Sequence, residues 1–338
     1  MAEILTEYVL FLAKVVTVVV AVGLTVALIV ASARREHLPE KLEVKHLNGK
    51  YEAMANVLRK ETLSKKAFKA HVKQEKTRKK ADKKRQQAAG DGTRPRIFVL
   101  NFHGDIKATA VSSLREEVTA LLLLANPDDE VAVRLENAGG LVHEHGLAAS
   151  QLMRIKEKQI PLTIMVDKIA ASGGYMMACV GDRIMAAPFA VVGSIGVVAQ
   201  LPNFHRLLDK HGIDFEQFMA GQFKRTVTVF GRNSDEGRAK LKEELEDTHL
   251  LFKDFVIKHR PSVEIDRVAT GEHWYGARAL ELKLVDGLMT SDNYLLEASR
   301  RAELYEVVYS GRRSVAQRVA SLMKQAWEER LVPGSKLL

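Results

Sequence analysis

The stretch IPLTIMVDKIAASGGYMMA, residues 160–178, decides the fold class. Its first half is a short apolar run bounded by turn residues, the pattern of a strand buried on both faces. Ala170-Ala171-Ser172-Gly173-Gly174 breaks that run, and Tyr175-Met176-Met177-Ala178 opens a helix. Working outward, the same alternation recurs. Residues 97–102 and 131–135 read as strands, and 111–125 and 147–158 as helices. Residues 183–187 and 191–199 read as two short strands joined by a turn. This βαβα order implies an α/β fold with a mainly parallel sheet covered on both faces. Further on, 234–259 reads as a long charged helix, and 293–305 and 314–329 as terminal helices. There is no internal repeat.

The chain has 338 residues, 46% of them hydrophobic and 28% charged, which allows up to two domains and excludes a chain disordered throughout. Its formal net charge of +9 is segregated. Residues 1–33 sum to −1; residues 34–96, with 20 basic and 8 acidic side chains, sum to +12; residues 97–338, with 30 basic and 32 acidic, sum to −2. The basicity therefore belongs to one segment, where neither aromatic interleaving nor a base-reading motif supports nucleic acid as partner. The single cysteine, Cys179, excludes an intramolecular disulfide and a cysteine-based zinc site, and its apolar neighbours mark it as a packing residue.

Residues 15–33 carry no charge and are rich in Val, Ala and Leu. With Lys14 able to snorkel, a run of this length spans about 30 Å of hydrocarbon and reads as one N-terminal transmembrane helix. Ala31-Ser32-Ala33 resembles a cleavage site, but Glu3 and Glu7 make the leading region acidic, against a removed signal peptide. Arg34, Arg35, Lys41, Lys45 and Lys50 follow the span, so the positive-inside rule puts the C-terminal side in the cytoplasm. The expected organisation is an anchor at 1–33, a basic and partly helical juxtamembrane linker at 34–93 facing the lipid bilayer, an α/β domain at 94–310, and a helix and tail at 311–338. Residues 184–201 are apolar too, but Pro188, Gly193 and Gly196 make them core strands and not a second span.

Two glycine-bearing loops follow parallel strands, where such sheets place their sites. Gly139-Gly140 offers backbone N–H groups without side-chain shielding. Ser172 sits at a helix start, where a serine serves either as an N-cap or as a nucleophile beside the N–H of Gly173 and a positive helix end. The histidines form no triad: His143-Glu144-His145 reads as an exposed polar tripeptide, and His205, His211, His259 and His273 carry no signal. The remaining base is Lys224, ahead of the apolar Val227-Thr228-Val229-Phe230. A lysine serves as general base only when desolvation or a neighbouring cation makes it neutral. From the residues alone the Ser172–Lys224 pair is a candidate.

Four boxes in order carry a resemblance. They are Asn137-Ala138-Gly139-Gly140, then Ala171-Ser172-Gly173-Gly174-Tyr175, then Val192-Gly193-Ser194-Ile195-Gly196-Val197. The stretch from Gly221 to Arg238 carries the lysine, and the last box runs from Gly271-Glu272-His273-Trp274-Tyr275-Gly276 to Leu284-Val285-Asp286-Gly287-Leu288. Over residues 95–290 the sequence resembles the signal peptide peptidase A family of membrane-bound serine peptidases (peptidase family S49), and most nearly its short bacterial branch. The resemblance implies a ClpP/crotonase-like fold and a Ser–Lys dyad. In it Ser172 is the nucleophile, Lys224 the general base and acid, and Ser194 the residue orienting the lysine. It assigns an oxyanion-hole N–H to Gly139, with Gly140 assisting and Gly173 adding another. Where the family often reads Asn-Ser-Pro-Gly-Gly, this chain has Glu136-Asn137-Ala138-Gly139-Gly140.

The resemblance further implies no metal or organic cofactor, ring-shaped homo-oligomers in which some relatives complete the dyad across protomers, and unfolded or apolar peptides such as signal-peptide remnants as substrates. It implies the bacterial inner membrane, with the catalytic domain on the outer side, opposite to the charge pattern. A reporter fused after Leu338 separates those two. Two rival classes are a crotonase-type acyl-CoA enzyme, which has no use for Lys224, and a non-catalytic membrane scaffold, which shows oligomers without turnover.

Overall fold

Strand β1 (Lys41–His46) leads into two helices, α1 (Leu47–Thr62) and α2 (Lys65–Ala88). There follow β2 (Arg96–His103), α3 (Val111–Leu122), β3 (Glu130–Glu136), α4 (Val142–Glu157), β4 (Leu162–Val166), β5 (Ile169–Ala171) and α5 (Gly173–Ala178). Next come β6 (Arg183–Ala186), β7 (Val191–Gly193), α6 (His205–Lys210), α7 (Asp235–His259), α8 (Ile265–Val268), β8 (His273–Tyr275), α9 (Gly276–Glu281), β9 (Gly287–Leu288), α10 (Ser291–Ala298) and β10 (Glu303–Ser310). The computed structural model describes residues 10–12, 14–17, 19–20, 41–88 and 94–310. Residues 42–309 form one compact unit; residues 1–41 with 310–338 form another, whose described residues before 41 are helical.

Seven strands make the main sheet in the order β1-β10-β2-β3-β4-β6-β9, and every pairing from β10 to β9 is parallel. Alternate side chains of the central strands leave the sheet to two cores, as strand geometry requires. Phe98, Leu100 and Phe102 of β2, with Val131, Val133 and Leu135 of β3, pack beneath α3, α4, α5 and α7. Ile97, Val99, Ala132 and Met165 face the other side, against Leu47 of α1 and Tyr294, Leu295 and Ala298 of α10. Burial on both faces explains why these strands read as nearly continuous apolar runs. Helix α3 shows the complementary logic: Val111, Leu114, Val118 and Leu121, spaced three and four apart, are its core stripe. The long α7 has its N-terminus capped by Ser234, whose side chain accepts the Gly237 N–H, with Asp235 and Glu236 in the first turn and Lys258 and His259 in the last.

A second, three-stranded sheet, β5-β7-β8, brings Ser172 and Ser194 to the ends of its first two strands. Strands β5 and β7 run parallel with Ala171 opposite Gly193, while β8 is antiparallel to β7. The isolated bridge between Asn137 and Ala170 ties this sheet to the end of β3.

Several expectations change. Residues 303–310, whose first three were assigned to a terminal helix, are strand β10, pairing parallel with β2 and burying Leu304 and Val307. Helix α4 starts at Val142, before the expected residue 147, and β7 ends at Gly193, where Ser194 takes a positive φ of 53° and turns the chain out of the strand. Among the described residues no helix is long and apolar enough to cross a membrane. The expected anchor at 15–33 lies mostly outside the described residues, and the expected helix at 314–329 wholly so.

Candidate active site

The turn between β5 and α5 holds Ser172 in a strained conformation, φ 53° and ψ −120°, which L-residues adopt at a cost of about 1–3 kcal/mol. The strain is held from both sides. The Ser172 N–H donates to Gly193 O at 2.8 Å, and Ser172 O accepts the Met176 N–H at 3.0 Å, closing the first turn of α5. Ser172 occupies the N-cap position of that helix, yet its hydroxyl makes no capping hydrogen bond. The commonplace use of a serine there is thus not the use made of it. A side chain thrust out on a tight strand-to-helix turn is the geometry that exposes a nucleophile above a sheet.

Ser194 is its counterpart on the neighbouring strand. The Ala171–Gly193 pairing puts both serines one step past the last paired residues of parallel strands, and Ser194 shares the φ of 53°. Its N–H donates to Glu272 O at 2.7 Å, so its backbone is fixed to β8's approach.

The Gly139-Gly140 loop closes over Ser172. Gly139 has a φ of 90°, and a methyl on its Cα would meet Ser172 Cβ at 2.7 Å, Gly173 N at 2.8 Å and Ala171 O at 2.9 Å. Only glycine admits this approach. The Gly139 N–H, to which the resemblance assigns an oxyanion, is engaged in this structure: it donates to Asn137 Oδ1 at 2.9 Å. The N–H groups of Gly140 and Gly173 have no hydrogen-bond partner among the described residues. Both glycines line one narrow cleft with Ser172, together with Val142, Met176, Gly196, Val197, Thr248 and Phe252. Two unpartnered donors and a hydroxyl thus share a mostly apolar slot, as acyl transfer requires.

Lys224 is not among the residues lining that cleft. It is exposed in the irregular segment between α6 and α7, held there by its own N–H to Gly221 O at 3.1 Å, and its ammonium has no hydrogen-bond or ion-pair partner among the described residues. Ser172, Ser194, Gly139, Gly140 and Gly173 are brought together within one chain. Lys224 is not.

His145 was expected to be exposed in a loop and is instead fully buried on α4, 0% exposed, while His143 beside it stays in solvent. The position on a helix face, which only the true start of α4 reveals, is what the tripeptide concealed. Cys179 is buried as expected; burial pushes its thiol up, which leaves it protonated and inert. Among the described residues no group of three His, Cys, Asp or Glu side chains stands close enough to hold a metal ion. A larger concavity of about 640 Å³ lies elsewhere, lined by Glu130, Arg183, Asp286, Tyr294 and Arg301 among others. Its Glu130 is consumed by hydrogen bonds from Tyr294 and Thr163 and an ion pair with Arg301, and it sits at the start of β3, away from the strand ends that bear the serines.

Comparison with known proteins gives the family. The family model described as "Peptidase family S49 N-terminal" matches residues 3–152, and "Peptidase family S49" matches residues 154–305. A protein of Haemophilus influenzae named "Probable protease SohB" is 46% identical over 323 residues, covering 93% of this chain and 91% of the relative. This chain belongs to peptidase family S49. A second "Probable protease SohB", from Buchnera aphidicola subsp. Acyrthosiphon pisum, is 42% identical and covers 98% of this chain and 97% of its own. Among solved structures, a mutant of the 1510-N membrane-bound stomatin-specific protease in complex with a substrate peptide aligns at 13% identity with a TM-score of 0.44, over 69% of this chain and 99% of that one. By its family models and relatives the chain is a peptidase of the S49 family, and its own strands give it an α/β fold built on a mainly parallel sheet.

Proposed function

We propose that this S49 peptidase is a membrane-anchored serine endopeptidase in which Ser172 attacks the scissile carbonyl and Lys224 handles the protons. The carrying observation is the strained Ser172, its hydroxyl free of capping, between the unpartnered N–H groups of Gly140 and Gly173. In the reaction, neutral Lys224 Nζ takes the Ser172 Oγ proton as Oγ bonds to the carbonyl carbon. The oxyanion receives the N–H of Gly173 from one wall and of Gly140 from the other. Collapse breaks the C–N bond, and the Lys224 ammonium gives its proton to the leaving amine. Water, deprotonated by Lys224, then releases the acyl group and restores Ser172. Ser194 fixes the lysine for these transfers. The apolar walls, Val142, Met176, Val197 and Phe252, favour unfolded or apolar peptides such as signal-peptide remnants.

Lys224 reaches Ser172 from a neighbouring protomer in this reading. Two observations favour it. Lys224 is not among the residues lining the cleft of its own chain, and the segment bearing it displays large exposed apolar side chains, with Phe218 90% and Ile213 55% exposed. A second chain laid over that segment removes this area from water and desolvates the lysine. The apolar run at 15–33 holds the assembly in the inner membrane, and the basic segment that follows it lies against anionic lipid. The test is complementation. Full-length Ser172→Ala and Lys224→Ala should each hydrolyse nothing, and subunits co-assembled from the two should recover part of the wild-type rate. Activity retained in either single variant refutes the dyad; inactive mixed assemblies refute the shared site.

A further inference from the structure

The site contains a buried hydrogen-bonded pair that the reaction above does not use. Asn137, 1% exposed, and His145, 0% exposed, meet directly behind the glycine loop. Asn137 Oδ1 accepts the Gly139 N–H at 2.9 Å and lies 3.1 Å from His145 Nε2. The orientation of the amide follows from chemistry: turning it over would aim its NH2 group at the Gly139 N–H, donor against donor. Oδ1 therefore faces the histidine and accepts a hydrogen carried on His145 Nε2. The other ring nitrogen, Nδ1, faces a second acceptor, Leu141 O at 3.0 Å just before α4, so both ring nitrogens point at oxygens and a hydrogen on each would serve both. The amide nitrogen of Asn137 points to Met177 Sδ at 3.3 Å, on α5.

The backbone around this pair leaves it no slack. Asn137 N–H donates to Ile169 O at 2.9 Å, and Asn137 O accepts the Ala171 N–H at 3.0 Å, binding it to the strand that delivers Ser172. A methyl on Gly173 would meet His145 Cγ at 2.5 Å, and one on Gly174 would meet Asn137 O at 2.0 Å. The imidazole thus lies under the peptide whose N–H serves as one oxyanion donor. Through Asn137 it also holds the loop that carries the other.

We infer that His145 is a positioning residue, which acts through Asn137 to hold the Gly139-Gly140 loop and the Gly173 turn at the spacing that the oxyanion needs. This rests on the peptidase reading of Ser172. His145 touches no substrate; it joins the two walls of the hole by one hydrogen bond and one ring face. Losing the hydrogen bond frees the loop, so the loss falls on the transition state and leaves ground-state binding in place.

Three forms of the full-length protein test it: wild type, His145→Phe, which keeps a ring against Gly173 without the donor, and His145→Gln, which keeps a donor at the reach of Nε2. Each is assayed for kcat and KM on an apolar chromogenic peptide, for melting temperature, and for amide hydrogen exchange in the fragment spanning 137–144. The expected result for H145F is a kcat lower by about 10–100-fold with KM within about twofold, and faster exchange in that fragment alone. H145Q should stay within about fivefold of wild type, with wild-type exchange. Equal kcat and exchange in H145F and wild type would overturn the inference, as would H145Q falling as far as H145F. A wild type without turnover would refute the peptidase reading instead; the exchange comparison then still decides whether His145 holds the loop.

Discussion

Substituting Gly139 by alanine puts the architecture of the site under direct load. The native φ of 90° costs an L-residue about 1–2 kcal/mol. The added methyl meets Ser172 Cβ at 2.7 Å, with Gly173 N and Ala171 O within 2.9 Å, and all three belong to the nucleophile turn. Overpacking of this kind costs about 1–3 kcal/mol more. Returning the nearest contact to an ordinary 3.4 Å moves Ser172 or the loop by about 0.7 Å. Misplacement on the order of 1 Å costs about 10²-fold in rate, so kcat/KM of G139A should fall about a hundredfold while the chain still folds. At about 2–4 °C per kcal/mol for a unit of this size, the melting temperature should drop by roughly 10 °C. The assay pairs peptide hydrolysis with thermal melting. Gly146→Ala is the control: in the interior of α4 a methyl there meets nothing within 4 Å, and the helix should gain about 0.5–1 kcal/mol. A G139A enzyme with wild-type melting and turnover within about threefold would refute the reasoning.

Three other outcomes follow from named contacts. Ser172→Gly removes the strain at φ 53° and should raise stability by about 1 kcal/mol while abolishing turnover; a destabilised S172G would show that the serine is not strained. Arg260, 6% exposed, holds Asp286 through both Nη atoms at 2.7 Å and also donates to Lys283 O at 2.9 Å. Arg260→Met should cost about 3 kcal/mol in denaturant titration, the lower end of the range because Asp286 is partly exposed; a change below about 0.5 kcal/mol would contradict it. Burial pushes the Glu117 carboxyl up, against the opposing hydrogen bond from the Tyr309 N–H. Since the raised folded value favours the protonated acid, this site loses stability as pH rises through it. Glu117→Gln should therefore melt above wild type at neutral pH, with the gap closing on acidification. A gap independent of pH would rule out that assignment.

Much of the fold was legible because the central strands are buried on both faces. Ile97-Phe98-Val99-Leu100 can be nothing but a strand or a core helix, and the turn residues around it choose the strand. Strand β10 was not legible: Glu303 and Glu306 break its apolar run, and only pairing with β2, some two hundred residues away in sequence, gives the segment its form. In the site, the glycines and Ser172 stood out at strand ends, yet spacing cannot tell a capping serine from a nucleophile. The backbone angle and the missing cap bond set Ser172 apart from an ordinary capping serine. His145 was misread because its burial depends on where α4 begins, and that is set by the Leu141 N–H donating to Ile106 O across the loop at 2.9 Å. Where Lys224 stands relative to Ser172 was beyond reach of the pattern, since the lysine falls in an irregular segment whose course no periodicity encodes.

The central claim is that Ser172 is a nucleophile made reactive by Lys224. It is tested most directly by treating full-length protein with a peptidyl fluorophosphonate and mapping the adduct by mass spectrometry. The account predicts a single adduct on Ser172, absent in S172A and slowed at least about a hundredfold in K224A. An adduct elsewhere, or wild-type labelling of Ser172 in K224A, would contradict it.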